Sequence, residues 1–177
     1  MTIRCYIDIG HRNNITDSGA VYNNRKESND TLMLGKLLAL QLKNDGAEVK
    51  LSRTSENDSK SLSERTREAN AWNADLFISV HRNASPNHTG TGAETLVYSH
   101  DLENVKVAEK LQRAMITACN YTDRGIKARP DLHVLKATKM VAILLEVGFI
   151  DCPQDNDKFD KNTIRLAEEL SKAILLQ

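Results

Sequence analysis

The sequence predicts a single α/β domain, with a mostly parallel, twisted sheet of about six strands and helices on both faces. Short apolar runs alternate along the chain with longer segments whose apolar residues recur at three-and-four spacing. The apolar run at residues 141–149 does not alternate, which is typical of a central strand buried on both faces. At 177 residues the chain suits one domain with a proper core, so we expect no second domain.

Capping residues, glycines and hydrophobic spacing predict each element in order. The first helix begins at the N-capping residues 28–30 and ends before Gly46. The capping box at residues 61–64 begins the second helix. Because strands alternate with helices, the crossovers should be right-handed and the sheet largely parallel. Strands are predicted at residues 3–9, 47–53, 75–80, 93–98, 132–135 and 141–149, helices at 28–45, 61–73, 101–119 and 163–176, and loops at 12–26, 81–87 and 120–131.

Charge and hydropathy limit the partners and the location of the protein. Lys plus Arg (24) balance Asp plus Glu (24), so no whole-molecule field attracts nucleic acid or an anionic membrane. No apolar run approaches the roughly 20 residues that span a bilayer, and residues 1–9 are too short and too polar for a secretory signal. We expect a monomer that is synthesised in the cytoplasm, binds no nucleic acid and inserts into no membrane. The cysteines are far apart and are predicted to be reduced structural thiols; they are Cys5, Cys119 and Cys152.

One acid lies inside the most apolar run of the sequence. Glu146 interrupts residues 141–149, and a carboxylate is almost never fully buried unless it is paired or bound. The residue is therefore either an unusual structural acid or a working group at the open end of a strand. Acids with perturbed pKa values concentrate at functional sites, which favours the second interpretation.

Two histidines occupy matching positions at strand ends. His11 follows the first predicted strand and His81 follows the third, while Glu146 lies near the end of the central strand. A parallel sheet would bring all three to the edge where open α/β sheets bind ligands. Imidazole and carboxylate are typical catalytic zinc ligands, although a strand-end histidine is often an ordinary loop residue. The acids that could supply a third protein ligand are Asp17, Glu27 and Asp30, with Glu27 slightly favoured by its place beside the long helix.

Several other catalytic motifs are absent from the sequence. It contains no Gly-rich phosphate loop, no HExxH, no HxE with PCxxC and no GxSxG elbow. We interpret His88 and His100 as surface residues. His133 lies in a strand-like run, where an ordinary position and a role in the cleft both remain open.

Six short segments carry a more specific pattern. Three of them contain the two strand-end histidines and the acid of the apolar run, and three smaller ones lie between these. The main segments are Ile7-Asp8-Ile9-Gly10-His11, Ser79-Val80-His81-Arg82-Asn83-Ala84 and Leu145-Glu146-Val147-Gly148-Phe149-Ile150, and the smaller ones are Leu51-Ser52-Arg53-Thr54, Gly92-Ala93-Glu94-Thr95 and Arg124-Gly125-Ile126-Lys127.

Together these segments resemble the zinc-dependent N-acetylmuramoyl-L-alanine amidases. That family includes bacterial cell-separation amidases, spore-associated autolysins and many phage endolysins. The segments span nearly the whole chain in the family's order, and their combination is specific although each is weak alone. Since the sequence as given has no signal peptide, the resemblance implies either a phage lysin released to act on the cell wall or a fragment of a longer secreted autolysin.

The resemblance implies that residues 1–177 form one zinc amidase catalytic domain. It implies one zinc ion per chain, held by His11, Glu27 and His81, with Glu146 as the catalytic acid–base residue. The implied reaction is hydrolysis, by zinc-activated water, of the amide between the lactyl group of N-acetylmuramic acid and L-alanine in bacterial peptidoglycan. Two other functions remain open: a non-catalytic peptidoglycan-binding or regulatory domain of this fold, and a zinc peptidase that cleaves stem peptides.

The chain departs from the family pattern at two places. Arg12 and Asn13 stand where the family usually has two glycines, and Arg82 stands where it usually has a small residue. We expect these side chains at the rim of the cleft, where they would alter substrate preference but remove no ligand. Asp8 or Asn83 is expected to orient the histidines, although Asp8 could equally be a solvated strand residue.

Overall fold

Strands and helices alternate along the chain, as the hydrophobic pattern predicts. The structure is a computed structural model that describes residues 2–12, 17–58 and 60–176. The elements in chain order are β1 (Arg4–Ile9), β2 (Val21–Tyr22), β3 (Arg25–Lys26), α1 (Glu27–Asn44), β4 (Glu48–Leu51), α2 (Leu62–Ala71), β5 (Leu76–Asn83), β6 (Ala93–Val97), α3 (Leu102–Cys119), β7 (Asp123–Ala128), α4 (His133–Lys136), β8 (Val141–Phe149) and α5 (Pro153–Leu175).

A six-stranded sheet organises the domain, in the order β4-β1-β5-β8-β6-β7. The first four strands of that order run parallel to one another. β6 is antiparallel to β8, and β7 is parallel to β6. The predicted class, a mostly parallel sheet of about six strands, is therefore confirmed. β2 and β3 form a small separate hairpin.

Successive side chains along each strand point to opposite faces of the sheet, and helices pack on both faces. Ile7 and Ile9 pack in the larger apolar cluster with residues of α1, α3 and α5. Tyr6 and Phe77 pack in the smaller cluster with residues of α2 and α4. Helices thus cover both faces, as predicted. In the part of the chain that the structure describes, no helix combines the length and the apolarity needed to cross a bilayer.

The three cysteines agree with the prediction of buried structural thiols. All three are buried and unpaired. Burial raises the pKa of Cys5 to about 12 and that of Cys119 to about 11, which keeps both as thiols at neutral pH.

Two elements on the carboxyl-terminal side differ from prediction. Residues 120–131, predicted as a loop, contain the edge strand β7, and residues 132–135, predicted as a strand, overlap the helical turn α4. β7 pairs with β6 alone and exposes charged side chains, so it lacks the apolar alternation that marks a strand. In α4 the adjacent residues Val134 and Leu135 are both buried against the sheet, a pattern too short to distinguish a strand from a turn of helix.

The boundaries of several helices and strands also differ from the prediction. α5 begins at Pro153 rather than at residue 163, because proline suits the first turn of a helix. β5 continues through His81 to Asn83, so His81 lies within the strand rather than after it. The hairpin β2–β3 lies in the loop predicted at residues 12–26. The N-cap of α1 is Lys26, which puts residues 28–30 inside its first turn, whereas the capping box predicted for α2 is present.

Candidate metal centre and its surroundings

Two histidines and one glutamate converge at the carboxyl edge of the parallel strands. His11 follows β1, Glu27 is the first residue of α1, and His81 lies near the end of β5. His81 Nδ1 lies 2.9 Å from Glu27 Oε1, and His11 Nε2 lies 3.2 Å from Glu27 Oε2. One nitrogen or oxygen of each residue lies within 4.8 Å of the others. The structure therefore brings together all three residues that the family resemblance names as ligands.

The other two candidate acids have different partners. Asp17 Oδ1 lies 2.7 Å from His11 Nδ1, the ring nitrogen that faces away from Glu27. A carboxylate on the second nitrogen of a histidine fixes the ring orientation, which is the usual support for a metal-binding imidazole. Asp30 pairs with Arg25 and Arg82 instead. Of the three acids, Glu27 is the one between the two histidines.

Charge holds this group together. Burial acts to lower the pKa of His11, but hydrogen bonds and charges from Glu27 and then Asp17 raise it to about 9. Burial acts to raise the pKa of Glu27, yet its contacts with His11 and His81 hold it well below the usual range. The same carboxylate raises the pKa of His81 against its burial. An ionised carboxylate between two imidazoles is a donor set that fits a divalent cation, which would take the place of the imidazole protons.

Glycines let the chain approach the group closely. A Cβ atom on Gly10 would meet His81 Cε1 at 2.5 Å, and one on Gly19 would meet Glu27 Oε2 at 2.5 Å. Gly19 also has a φ of +70°, a backbone conformation that residues with a side chain rarely adopt. The crowding explains why a glycine immediately precedes His11 in the first signature segment.

Arg53 joins the loop that carries His11 to the start of α1, which carries Glu27. Its Nη2 donates to the carbonyl oxygens of Ser28 at 2.5 Å and Gly10 at 3.2 Å. Ser28 follows Glu27 and Gly10 precedes His11, so one buried guanidinium fixes the distance between two ligand-bearing segments. The sequence marked residues 51–54 as a signature but indicated no role for them.

Arg82 contradicts the prediction that it lines the cleft rim. Its side chain is 1% exposed, because alternation along β5 directs it to the face opposite His81. Its guanidinium donates to Asp30 Oδ2 at 2.5 Å and to Asn156 Oδ1 at 2.7 Å, and it lies over the Phe159 ring. Its backbone N–H donates to Glu27 Oε1 at 3.0 Å. Arg82 is therefore a buried residue that supports the ligand group, defined as His11, Glu27 and His81.

The other predicted supporting residues have mixed outcomes. Arg12 is partly exposed beside Asp17, with 3.4 Å between Nε and Oδ2, while Asn13 lies outside the described residues. Asp8 is fully buried, so the solvated alternative is wrong, and its hydrogen bonds join Ser79 Oγ and Arg65 Nη1 rather than a histidine. Asn83 donates to Glu94. Asp17 is the carboxylate that orients His11.

The remaining histidines lie away from the ligand group. His88 and His100 are exposed, as predicted. His133 is also exposed, in α4 rather than in a strand, and its Nε2 lies 3.4 Å from Thr66 Oγ1 of α2. This contact favours the ordinary interpretation of His133.

Glu146 lies directly beside the ligand group in the sheet. It is opposite His81 in the parallel pair β5–β8 and opposite Glu94 in the antiparallel pair β6–β8. Its Oε2 is buried, and no hydrogen-bond partner for it is present among the described residues. Burial raises the pKa of Glu146 to about 7, with Glu27 and Glu94 adding to the rise and His81 and His11 opposing it. A buried carboxyl oxygen without a partner needs an explanation, and proton transfer to a ligand is one.

The sheet edge combines a convergent histidine–glutamate–histidine set with an adjacent acid whose Oε2 is buried, an arrangement that would suit a metal-dependent hydrolase. Comparison with known proteins identifies a family of amidases, which are hydrolases. The family model described as N-acetylmuramoyl-L-alanine amidase matches residues 5–175. The chain belongs to this family.

Individual relatives agree with the family assignment. The chain is 36% identical over 159 residues to the sporulation-specific N-acetylmuramoyl-L-alanine amidase of Bacillus subtilis, covering 88% of this chain and 60% of that protein. It is 39% identical over 153 residues to the endolysin of Bacillus phage SPP1, covering 82% of this chain and 54% of that protein. It therefore spans little more than half the length of these curated relatives. The crystal structure of an N-acetylmuramoyl-L-alanine amidase from Clostridium difficile 630 matches with a TM-score of 0.90 and 32% identity, covering 99% of this chain and 96% of that one.

The buried position of Arg82 leads to a stability prediction. We expect Arg82→Met to lower the free energy of unfolding by about 2–3 kcal/mol, because it removes the buried hydrogen bonds to Asp30 and Asn156 and leaves Asp30 with Arg25 as its ion-pair partner. The matched control is Arg129→Met, which removes an exposed ion pair with Asp131 and should change stability by about 1 kcal/mol or less. Urea denaturation followed by circular dichroism measures both. Equal stability of the two variants would contradict a supporting role for Arg82.

Proposed function

We propose that this chain is a peptidoglycan hydrolase that cleaves the amide between N-acetylmuramic acid and L-alanine. The observation that carries the proposal is the convergence of His11, Glu27 and His81 beside Glu146, whose buried Oε2 has no partner among the described residues. Membership of the N-acetylmuramoyl-L-alanine amidase family supports this substrate class. The name of one relative, an amidase, supports the same reaction, and the name of another, an endolysin, supports action on the cell wall.

We further propose one zinc ion per chain, held by His11, Glu27 and His81. Two imidazoles and one carboxylate are a zinc donor set, and three protein ligands leave a coordination position for water or substrate. Bound there, zinc would supply Lewis-acid polarisation of the scissile carbonyl and would lower the pKa of water. Asp17 would hold His11 in the required ring orientation through Nδ1.

Glu146 supplies the proton transfers in this proposal. A carboxyl group with a pKa of about 7 accepts a proton from the attacking water and remains a strong enough acid to return it to the leaving nitrogen. Its place opposite His81 puts it next to the ligands without making it one of them. Its buried Oε2 is shielded from bulk water, which would otherwise compete for the same proton.

The proposed place of action is the bacterial cell wall, with peptidoglycan as the partner and a monomer as the working unit. Whether the chain works as a released lysin or within a longer wall enzyme, the catalytic proposal is the same. A non-catalytic wall-binding domain would have no use for an acid beside the donor set whose buried Oε2 has no partner among the described residues. The first experiment addresses this acid.

Replacing the proposed acid–base residue tests its role directly. We expect Glu146→Gln to reduce the rate of wall hydrolysis by about 10²–10⁴-fold, because the amide cannot carry the proton. Zinc content and circular dichroism should match the wild type. Glu103→Gln, an exposed change in the first turn of α3, is the matched control and should retain full activity. Substantial residual lysis by Glu146→Gln would overturn the assignment.

Metal analysis tests the proposed ligands independently of activity. His81→Ala should lose most of its zinc after dialysis, whereas the exposed control His100→Ala should retain one equivalent per chain. A chelator should remove zinc from the wild type without unfolding it, since the apolar core rather than the metal carries the fold. Inductively coupled plasma mass spectrometry with circular dichroism gives both readouts. A full equivalent of zinc in His81→Ala would refute the ligand set.

A further inference from the structure

A row of charged side chains extends from Glu146 across the next two strands. Glu94 on β6 is directly opposite Glu146 on β8, so the two side chains share a face of the sheet. Glu94 is buried, and its Oε2 accepts from Lys127 Nζ at 2.5 Å and from Arg124 Nε at 2.8 Å, both from β7. Lys127 is opposite Leu96, two residues beyond Glu94, so it belongs to the same face.

Two cations in this row share one carboxylate. Both Arg124 and Lys127 pair with the single Oε2 of Glu94, and their side chains are 35% and 45% exposed. The neighbouring Arg129 makes a bidentate pair with Asp131, which balances its charge. Within the described contacts, Glu94 therefore leaves one positive charge in excess next to Glu146.

The two cations are held differently. Arg124 also donates to the carbonyl oxygen of Thr91 and lies over the Phe149 ring at 4.9 Å. These contacts fix Arg124 on Glu94. Lys127 has a flexible stem and a compact ammonium group, so it can turn from Glu94 towards a ligand while Arg124 keeps that buried carboxylate paired.

The chemistry of the proposed reaction sets the direction in which the substrate crosses this row. The leaving nitrogen must lie within hydrogen-bond reach of Glu146 to receive its proton. The donor set lies on the β1 and β5 side of Glu146, and β6 and β7 lie on the other side. With the scissile carbonyl at the donor set and the leaving nitrogen at Glu146, the peptide that begins at this nitrogen would continue over β6 towards Lys127.

We infer that Lys127 forms a subsite for a free carboxylate on the second residue of the leaving peptide. The inference rests on the proposed function and specifies which peptides it accepts. Adjacent strands are about 4.8 Å apart, and two extended residues span roughly 7 Å. The Lys127 ammonium contacts Glu94, which lies one strand away from Glu146, and this spacing matches the second residue of the peptide better than the first. The favoured ligand is a stem peptide with D-glutamate at this position, and the disfavoured one carries its α-amide.

Two synthetic substrates test the subsite with the zinc-loaded protein. Both are N-acetylmuramoyl tripeptides of L-alanine, a γ-linked second residue and L-lysine, and they differ only in a free α-carboxylate or an α-amide on the second residue. We expect the wild type to have roughly 3–10-fold higher kcat/KM for the carboxylate, the size of a partly exposed charge-assisted contact. Lys127→Met should abolish this preference, mainly by raising KM for the carboxylate substrate, so that kcat/KM becomes equal for the two substrates.

Three control variants distinguish recognition of the substrate carboxylate by Lys127 from neutralisation of Glu94 by Lys127. Lys106→Met, an exposed change on α3, should keep the preference. The double variant Glu94→Gln/Lys127→Met has no buried carboxylate left to neutralise, so it remains interpretable if Lys127→Met folds poorly, and it should also lack the preference. Glu94→Gln alone should retain it.

Three outcomes would overturn the inference. Equal kcat/KM for the two substrates in the wild type refutes the subsite, as does a preference that survives loss of the Lys127 charge in either variant. Absence of any muramoyl–alanine cleavage on both substrates refutes the proposed function together with the subsite, and so the two failures are distinguishable.

Discussion

The carboxylate of Glu27, placed between His11 and His81, is the interaction on which the site depends. It joins residues from a loop, a helix start and a strand that are distant in sequence, with contacts of 3.2 and 2.9 Å. Much of the surrounding structure serves this contact. Arg53 ties the segments beside His11 and Glu27, and the backbone N–H of Arg82 donates to the same carboxylate. These contacts hold the three side chains close together, which would lower the ordering cost of binding the proposed cation.

Side chains alternate between the two faces of a β-strand. At this edge of the sheet, the alternation places the proposed catalytic residues on one face and the residues that support them on the other. His81 and Glu146 share one face with Glu94, whereas Arg82 turns to the other face and is buried against Phe159. One face therefore carries the donors, the acid and the cations that a substrate would meet. The opposite face carries an ion-pair network under the start of α1, which fixes Glu27 from behind.

The sheet and the helices on both of its faces could be predicted from the sequence. The grouping of His11, His81 and Glu146 could also be predicted, because parallel strands bring their carboxyl ends to one edge of the sheet. The choice of Glu27 over Asp17 and Asp30 came from the family resemblance, since composition cannot show which acid faces the histidines. Edge strand β7 was missed because charged edge strands carry no apolar alternation. Arg82 was misplaced because its orientation depends on the extension of β5 past residue 80, which polarity had marked as a loop.

Mass spectrometry of the fragments released from purified peptidoglycan by the zinc-loaded protein tests the central claim most directly. We predict free stem peptides with L-alanine at the amino terminus, together with glycan strands whose lactyl groups end in free carboxylates. Cuts between amino acids of the stem would contradict it and indicate a peptidase. Binding to the wall without any released fragment would contradict it in favour of a non-catalytic domain.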